Sequence, residues 1–225
     1  MQLDSIVPWG RSLDEYRLMF ALSETDLQKH ILGCGDGPAA FNAGLSARGG
    51  RVVSVDPVYQ FTAEQIRAQI ERVYPQVMSQ MQQNADNYIW DSISSVDALG
   101  SIRMDAMQEF LMDFDAGLEA GRYLTASLPD LPFAERQFEL ALCSHFLFLY
   151  SEHFSLSQHI ESIRELCRVA EEVRVYPLLT LDGKPSDYLP AVREALSAEG
   201  IETRLQTVDY QFQKGATQML VASAS

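Results

Sequence analysis

Lys29–Tyr59, KHILGCGDGPAAFNAGLSARGGRVVSVDPVY, reads as strand, glycine turn, helix and strand, ending on an acid. Gly33, Gly35 and Gly37 alternate directly after the apolar run Ile31-Leu32. A chain leaving a strand must turn tightly there, and a ligand can approach bare backbone. Pro38 suits the first turn of a helix, where its missing N–H would be unpaired anyway. Ala39, Ala40, Phe41, Ala43, Leu45 and Ala47 carry that helix, and Gly49-Gly50 is its end signal. Arg51–Val55 is a β-branched run with Asp56 at its carboxyl end, 19 positions beyond Gly37. That is about where an acid on a second strand reaches the hydroxyls of a ribose bound over the turn. By itself the stretch specifies a nucleoside.

Composition narrows the partners. The chain has 225 residues, 47% of them hydrophobic, which is enough for one substantial core and suggests one domain, 1–225, with an elaboration. No apolar run approaches the ~20 residues of a membrane span. The start, MQLDSIVPWGR, has no basic head followed by an apolar core, so no secretory signal is expected. Three cysteines, Cys34, Cys143 and Cys167, have no C-x-x-C spacing and fit reduced thiols in the cytoplasm. Net charge is −14, from 31 acids against 17 bases, without a basic run. That balance speaks against nucleic acid as a partner, because phosphate binding needs a basic face, and against an anionic membrane surface. Oligomeric state is not legible.

Ser12-Leu13-Asp14-Glu15 has the form of a capping box, and Tyr16, Met19, Phe20 and Leu22 extend an apolar face, which predicts a helix over 12–22. After Asp56 some 60 residues pass before strand character returns. Within 57–121, Thr62-Ala63-Glu64-Gln65 again resembles a capping box. Ile66, Ile70, Val73 and Val77 recur at helical spacing, with Pro75 bending or ending the helix. Trp90, Ile93, Val96 and Leu99 suggest a second short helical piece, and Met104, Met107, Phe110, Leu111 and Phe114 a third. Methionine and aromatic stripes are usually core. A helical insertion beside the carboxyl edge of a sheet nevertheless sits where open α/β folds bind ligands, so a lid and acceptor pocket are expected there.

Strands are expected at Arg122–Ala126, Phe138–Cys143, Val173–Leu179, Ile201–Phe212 and Gln218–Ala222. Helices are expected after Ser155 and over Tyr188–Glu199. The last two strands, joined by a turn at Lys214-Gly215, must be antiparallel.

A dinucleotide fold would want a small residue at position 38, where this chain has proline. G-C-G-D-G followed by the acid Asp56 resembles instead motif I and the acidic loop of the class I S-adenosylmethionine-dependent methyltransferases, which have a Rossmann-like fold. Ser127-Leu128-Pro129-Asp130-Leu131-Pro132-Phe133 and Phe138–Cys143 are similar to the Leu-Pro-Phe segment of members acting largely on small molecules. The terminal hairpin is typical of the same family. The resemblance covers roughly 12–59 and 122–222, and the block 57–121 lies outside it.

The resemblance implies a doubly wound α/β fold, with a mostly parallel seven-stranded sheet, an antiparallel terminal strand and a helical insertion. It implies S-adenosylmethionine as cofactor, held by Gly33, Cys34, Gly35, Gly37, Asp56, Ser127, Leu128 and Ser144, and methyl transfer to an acceptor that is expected to be a small molecule. Arg11 or Tyr16 would meet the methionine end. Two departures stand out: Ile31 where members commonly carry an acid, and Ser127 where Asp often binds the adenine. They favour as an alternative a non-catalytic sensor or partner subunit, and another reaction of the same cofactor stays open beside it. Ser144 and His145 emerge at the end of the fourth strand, and a neutral His145 imidazole can accept the acceptor's proton. His145, His153 and His159, spaced by eight and six residues, match no usual zinc pattern, so no metal is expected.

Overall fold

The computed structural model describes residues 7–224. Met1–Ile6, the start of the stretch inspected for a secretory signal, and Ser225 lie outside the described residues. Seven strands form one sheet in the order β3-β2-β1-β4-β5-β7-β6. They are β1 (His30–Cys34), β2 (Arg51–Val55), β3 (Tyr123–Leu124), β4 (Phe138–Ser144), β5 (Ala170–Tyr176), β6 (Ile201–Thr207) and β7 (Gln218–Ala224). β7 runs antiparallel to both β5 and β6, and every other pairing is parallel.

Alternation along the strands splits the core in two. Ile31, Leu140 and Leu142 face the side covered by α1 (Leu13–Met19), α2 (Phe41–Ala47) and the start of α4 (Val96–Glu119). Leu32, Ala141 and Cys143 face the side covered by α5 (Leu156–Val169) and α6 (Leu189–Ala198). β4 therefore shows no polar face, as a central parallel strand should not. Helix starts follow local chemistry. Ser12, Thr62 and Ser155 each accept from the amide three residues on, while Glu15, Gln65 and Gln158 reach back, which completes three capping boxes.

Some expected elements differ. α2 begins at Phe41, so Pro38 belongs to the glycine turn and not to the helix's first turn. α3 (Ala63–Gln83) runs through Pro75 without ending. The second and third helical pieces are one 24-residue helix, α4, begun by a Ser95 cap, and Trp90 and Ile93 stand before it. Phe110 and Phe114 are fully buried against Tyr59 and Tyr123. They fill the space between α4 and the sheet edge, so this stripe is core, as methionine and aromatic stripes usually are, and it does not line the cavity. β3 is two residues long, and the chain after it turns at Ser127, whose carbonyl accepts from the Asp130 amide at 3.1 Å. β6 stops at Thr207, not Phe212. Val208, Tyr210 and Phe212 alternate as a strand would, but they belong to a ten-residue loop, 208–217, whose side chains enter the first core. No helix among the described residues is long and apolar enough to cross a membrane.

Candidate functional site

Parallel registration brings three strand ends to one edge. Cys34 pairs with Val55 on one side and Cys143 on the other, so the residues that follow, Gly35, Asp56 and Ser144, emerge together. A cavity of about 680 Å³ opens there. Its floor is Gly35, Asp36 and Gly37 with Ser144 and His145, and its side is Asp56 to Val58. Trp9, Arg11 and Tyr16 from the amino-terminal segment, α3, and the loops around Tyr88 and 208–217 close the rest.

Gly35 and Gly37 take φ values of +69° and +53°, which disfavour a side chain. A Cβ on Gly37 would have only Asp56 Oδ2 near it, at 4.0 Å, so bare backbone does face open space. Gly33 serves another purpose, since a Cβ there would lie 1.9 Å from Asp36 Oδ2. Cys34 is buried, its side chain in the second core and its thiol pKa raised by burial, so it offers the cavity no side chain.

Asp56 accepts from the Gly37 amide at 2.9 Å and from the Val58 amide at 2.8 Å, and so ties the glycine turn to the end of β2. Burial raises its pKa, and those two bonds offset part of the rise. Asp36 was not singled out in the sequence, though an acid between Gly35 and Gly37 was the available signal. Its Oδ1 accepts from the Tyr16 hydroxyl at 2.8 Å and its Oδ2 from the Ser54 hydroxyl at 2.7 Å. Burial lifts it to about 7, against the pull of both hydroxyls.

His145 has φ +51°, a strained conformation for a residue with a side chain, held by its amide bond to the Tyr176 carbonyl at 2.7 Å. Its Nδ1 lies 3.1 Å from Ser144 Oγ. Burial, then the charges of Arg11 and Arg103, push its pKa well below 6.5, so the ring is neutral. Ser127 and Leu128 stand in the turn after β3 and are not among the lining residues. His159 lies away from the cavity, its Nδ1 2.8 Å from the Ser155 carbonyl and its Nε2 3.1 Å from the Leu147 carbonyl.

Sequence reasoning also missed Arg103. It sits on the buried stripe of α4 between Leu99 and Phe110, and a lone arginine on such a stripe was the signal. Its Nη1 donates to Glu15 Oε2 at 2.6 Å, and Glu15 Oε1 accepts from the Tyr210 hydroxyl at 2.9 Å. Burial alone would raise the Glu15 pKa, but Arg103 and then Arg11 hold it at about 2.

The sheet order, with β7 reversed between β5 and β6 and a glycine turn after β1, is the class I methyltransferase-like arrangement expected from the sequence. No family model matches the chain. An uncharacterized protein of Methanocaldococcus jannaschii is 28% identical over 222 residues, 98% of this chain and 97% of its own. Among solved structures, the magnesium protoporphyrin IX methyltransferase of Synechocystis with bound S-adenosylmethionine superposes with a TM-score of 0.47 at 14% identity, over 95% of this chain and 78% of that one. An S-adenosylmethionine-dependent methyltransferase of Aquifex aeolicus gives 0.45 at 16%, over 92% and 91%. These are likenesses of shape, and the classification of the fold rests on the strand order.

Proposed function

We propose that this chain is an S-adenosylmethionine-dependent methyltransferase acting on a small-molecule acceptor. The observation that carries the reading is the meeting of Gly35–Gly37, Asp56, Ser144 and His145 around one cavity of about 680 Å³ at the carboxyl edge of the sheet. That volume is within the ~300–1,000 Å³ of small-molecule sites. The donor set suits the cofactor: two carboxylates, Asp36 and Asp56, stand beside a bare glycine backbone, where a ribose and a cation need acceptors. Bound there, S-adenosylmethionine supplies a methyl on a sulfonium whose C–S bond gives way to the acceptor.

The chain's own part is to bind, orient and exclude water, because the sulfonium is already a good leaving group. Asp56 takes the ribose hydroxyls. Asp36, once ionised, answers the ammonium in place of the acid missing at Ile31. The neutral His145 imidazole can receive the proton the acceptor gives up. Helix α3, which borders the cavity through Ile66, Val77 and Met81, would serve as its cover. Acidity supports a partner other than nucleic acid or an anionic membrane, and three free buried thiols support the cytoplasm.

Calorimetry with S-adenosylhomocysteine tests the site. Asp56→Ala and Asp56→Asn should weaken binding about 10- to 100-fold, from the loss of charge-assisted bonds worth roughly 1.5–3 kcal/mol, with the melting curve still cooperative. Unchanged affinity would refute the assignment. A second reading, a sensor that binds the cofactor without transfer, is favoured by Ser127 and Leu128 lying off the cavity. Incubation with methyl-labelled cofactor and a cell extract separates the two, since a sensor passes no label on.

A further inference from the structure

Arg11 and Arg103 both line the cavity, and on each the Nε is shut off from solvent without an acceptor among the described residues. Their charges are balanced differently. Arg103 is paired with Glu15, and that carboxylate is further committed to the Tyr210 hydroxyl and to the Ser12 amide at 3.0 Å. Arg11 donates to the Trp9 carbonyl at 3.1 Å and, among the described residues, pairs with no carboxylate. Its charge reaches Glu15, which Arg103 already holds in an ion pair, and beyond it Tyr16, Tyr88, Tyr150, Tyr176, Tyr210 and His145. The cavity is therefore lined by two acids at the glycine turn and, among its aromatic rings, by a cation that has no ion-pair partner of its own among the described residues, inside a chain of net charge −14.

We infer that the acceptor is a small carboxylic acid with an aromatic or apolar body, its carboxylate seated on Arg11 and its body against the surrounding tyrosines. The inference rests on the methyltransferase reading for the word acceptor, but the anion site itself does not. A carboxylate takes two N–H groups of one guanidinium at once, so a single ligand group can supply both the acceptors and the ion pair that the cavity-lining Arg11 lacks. Burial and Arg103 lower the Arg11 pKa, which sharpens its need of a counter-charge without discharging it near neutral pH.

The test is calorimetric titration of the full chain with benzoate, phenylacetate and hexanoate, each against its primary amide, with and without S-adenosylhomocysteine. At least one acid should bind tenfold more tightly than its amide. Arg11→Gln should abolish that preference and Arg11→Lys keep part of it, both variants being checked by thermal melting. Absence of any acid-over-amide preference in the wild type, or its persistence in Arg11→Gln, overturns the inference. So does an Arg11→Gln that weakens S-adenosylhomocysteine while sparing 5′-methylthioadenosine, which would put Arg11 on the cofactor's own carboxylate. Should the wild type bind the acids and not S-adenosylhomocysteine, the anion site stands and the cofactor reading falls.

Discussion

The Asp36 carboxylate occupies the volume that a side chain at residue 33 would need, and it is fixed there by Tyr16 and Ser54. Gly33→Ala should therefore push the acid off both hydroxyls and cost about 2–3 kcal/mol in thermal or urea unfolding, combining overpacking with lost bonds. Adding Asp36→Ser should recover at least ~1 kcal/mol, a coupling that independent sites would not show. Asp36 also sets a pH response. Its folded pKa of about 7 lies above the ~3.9 of an unfolded aspartate, so the folded state holds the extra proton. Stability from this group is full below pH ~4, falls as pH rises toward 7 and is then level. The difference in melting temperature between wild type and Asp36→Asn should move in favour of Asn across that window and stop moving above it. Sequence pattern exposes the turn's glycines because their role is local, and Asp56 because an acid about 20 residues beyond a glycine turn is itself a recurrent spacing. The partners of Asp36, at residues 16 and 54, come from other elements, and an acid within a glycine turn reads as turn chemistry alone.

At the scale of elements, helix beginnings were legible and helix extents were not. The boxes at Ser12, Thr62 and Ser155 close within four residues, so pattern suffices for them. The break expected between Leu99 and Met104 was instead continuous helix, because both stripes pack on elements remote in sequence. Gly100 shows how closely α3 and α4 meet. A Cβ there would fall 2.3 Å from Tyr74 Oη and 2.7 Å from Met78 Cε. Gly100→Ala gains helix propensity of ~1 kcal/mol, yet it should destabilise by about 1–2 kcal/mol net, because overpacking costs more. A raised melting temperature would show that the two helices can separate freely. The aromatic residues of α4 were legible as core from their residue types, although a stripe alone does not say which element it packs against.

The whole molecule is joined by an ionic cluster whose pairing no local pattern reveals, although Arg103 on the buried stripe of α4 marks one member. Glu15 on α1, Arg103 on α4 and Tyr210 in the loop before β7 meet across as many as 195 positions. Removing one partner leaves a buried charge, so Glu15→Gln should cost about 3–5 kcal/mol, and Glu15→Gln with Arg103→Met less than the sum of the two single changes. Equilibrium urea unfolding measures both. With Glu15 held at about 2, its contribution is present above its ordinary pKa and is lost as pH falls toward 2. The mostly parallel sheet followed from the family resemblance, and the strands and the antiparallel end of the sheet were legible because glycine turns and β-branched runs mark strand ends. The walls of the cavity were not, since they are built from loops whose apolar alternation imitates strands.

The loop 208–217 is fastened to the segment between α3 and α4. The Ile89 amide donates to the Phe212 carbonyl at 2.8 Å, the Lys214 amide to the Asn87 carbonyl at 2.9 Å, and the Lys214 ammonium to the Asp86 carbonyl at 2.6 Å. Two stretches some 120 positions apart thus behave as one heritable unit. In descendants of this chain a length change in either should be accompanied by a change in the other, and a chimera that imports only one of them from a distant homologue should alter the cavity that Tyr88, Tyr210 and Phe212 line before it loses its fold.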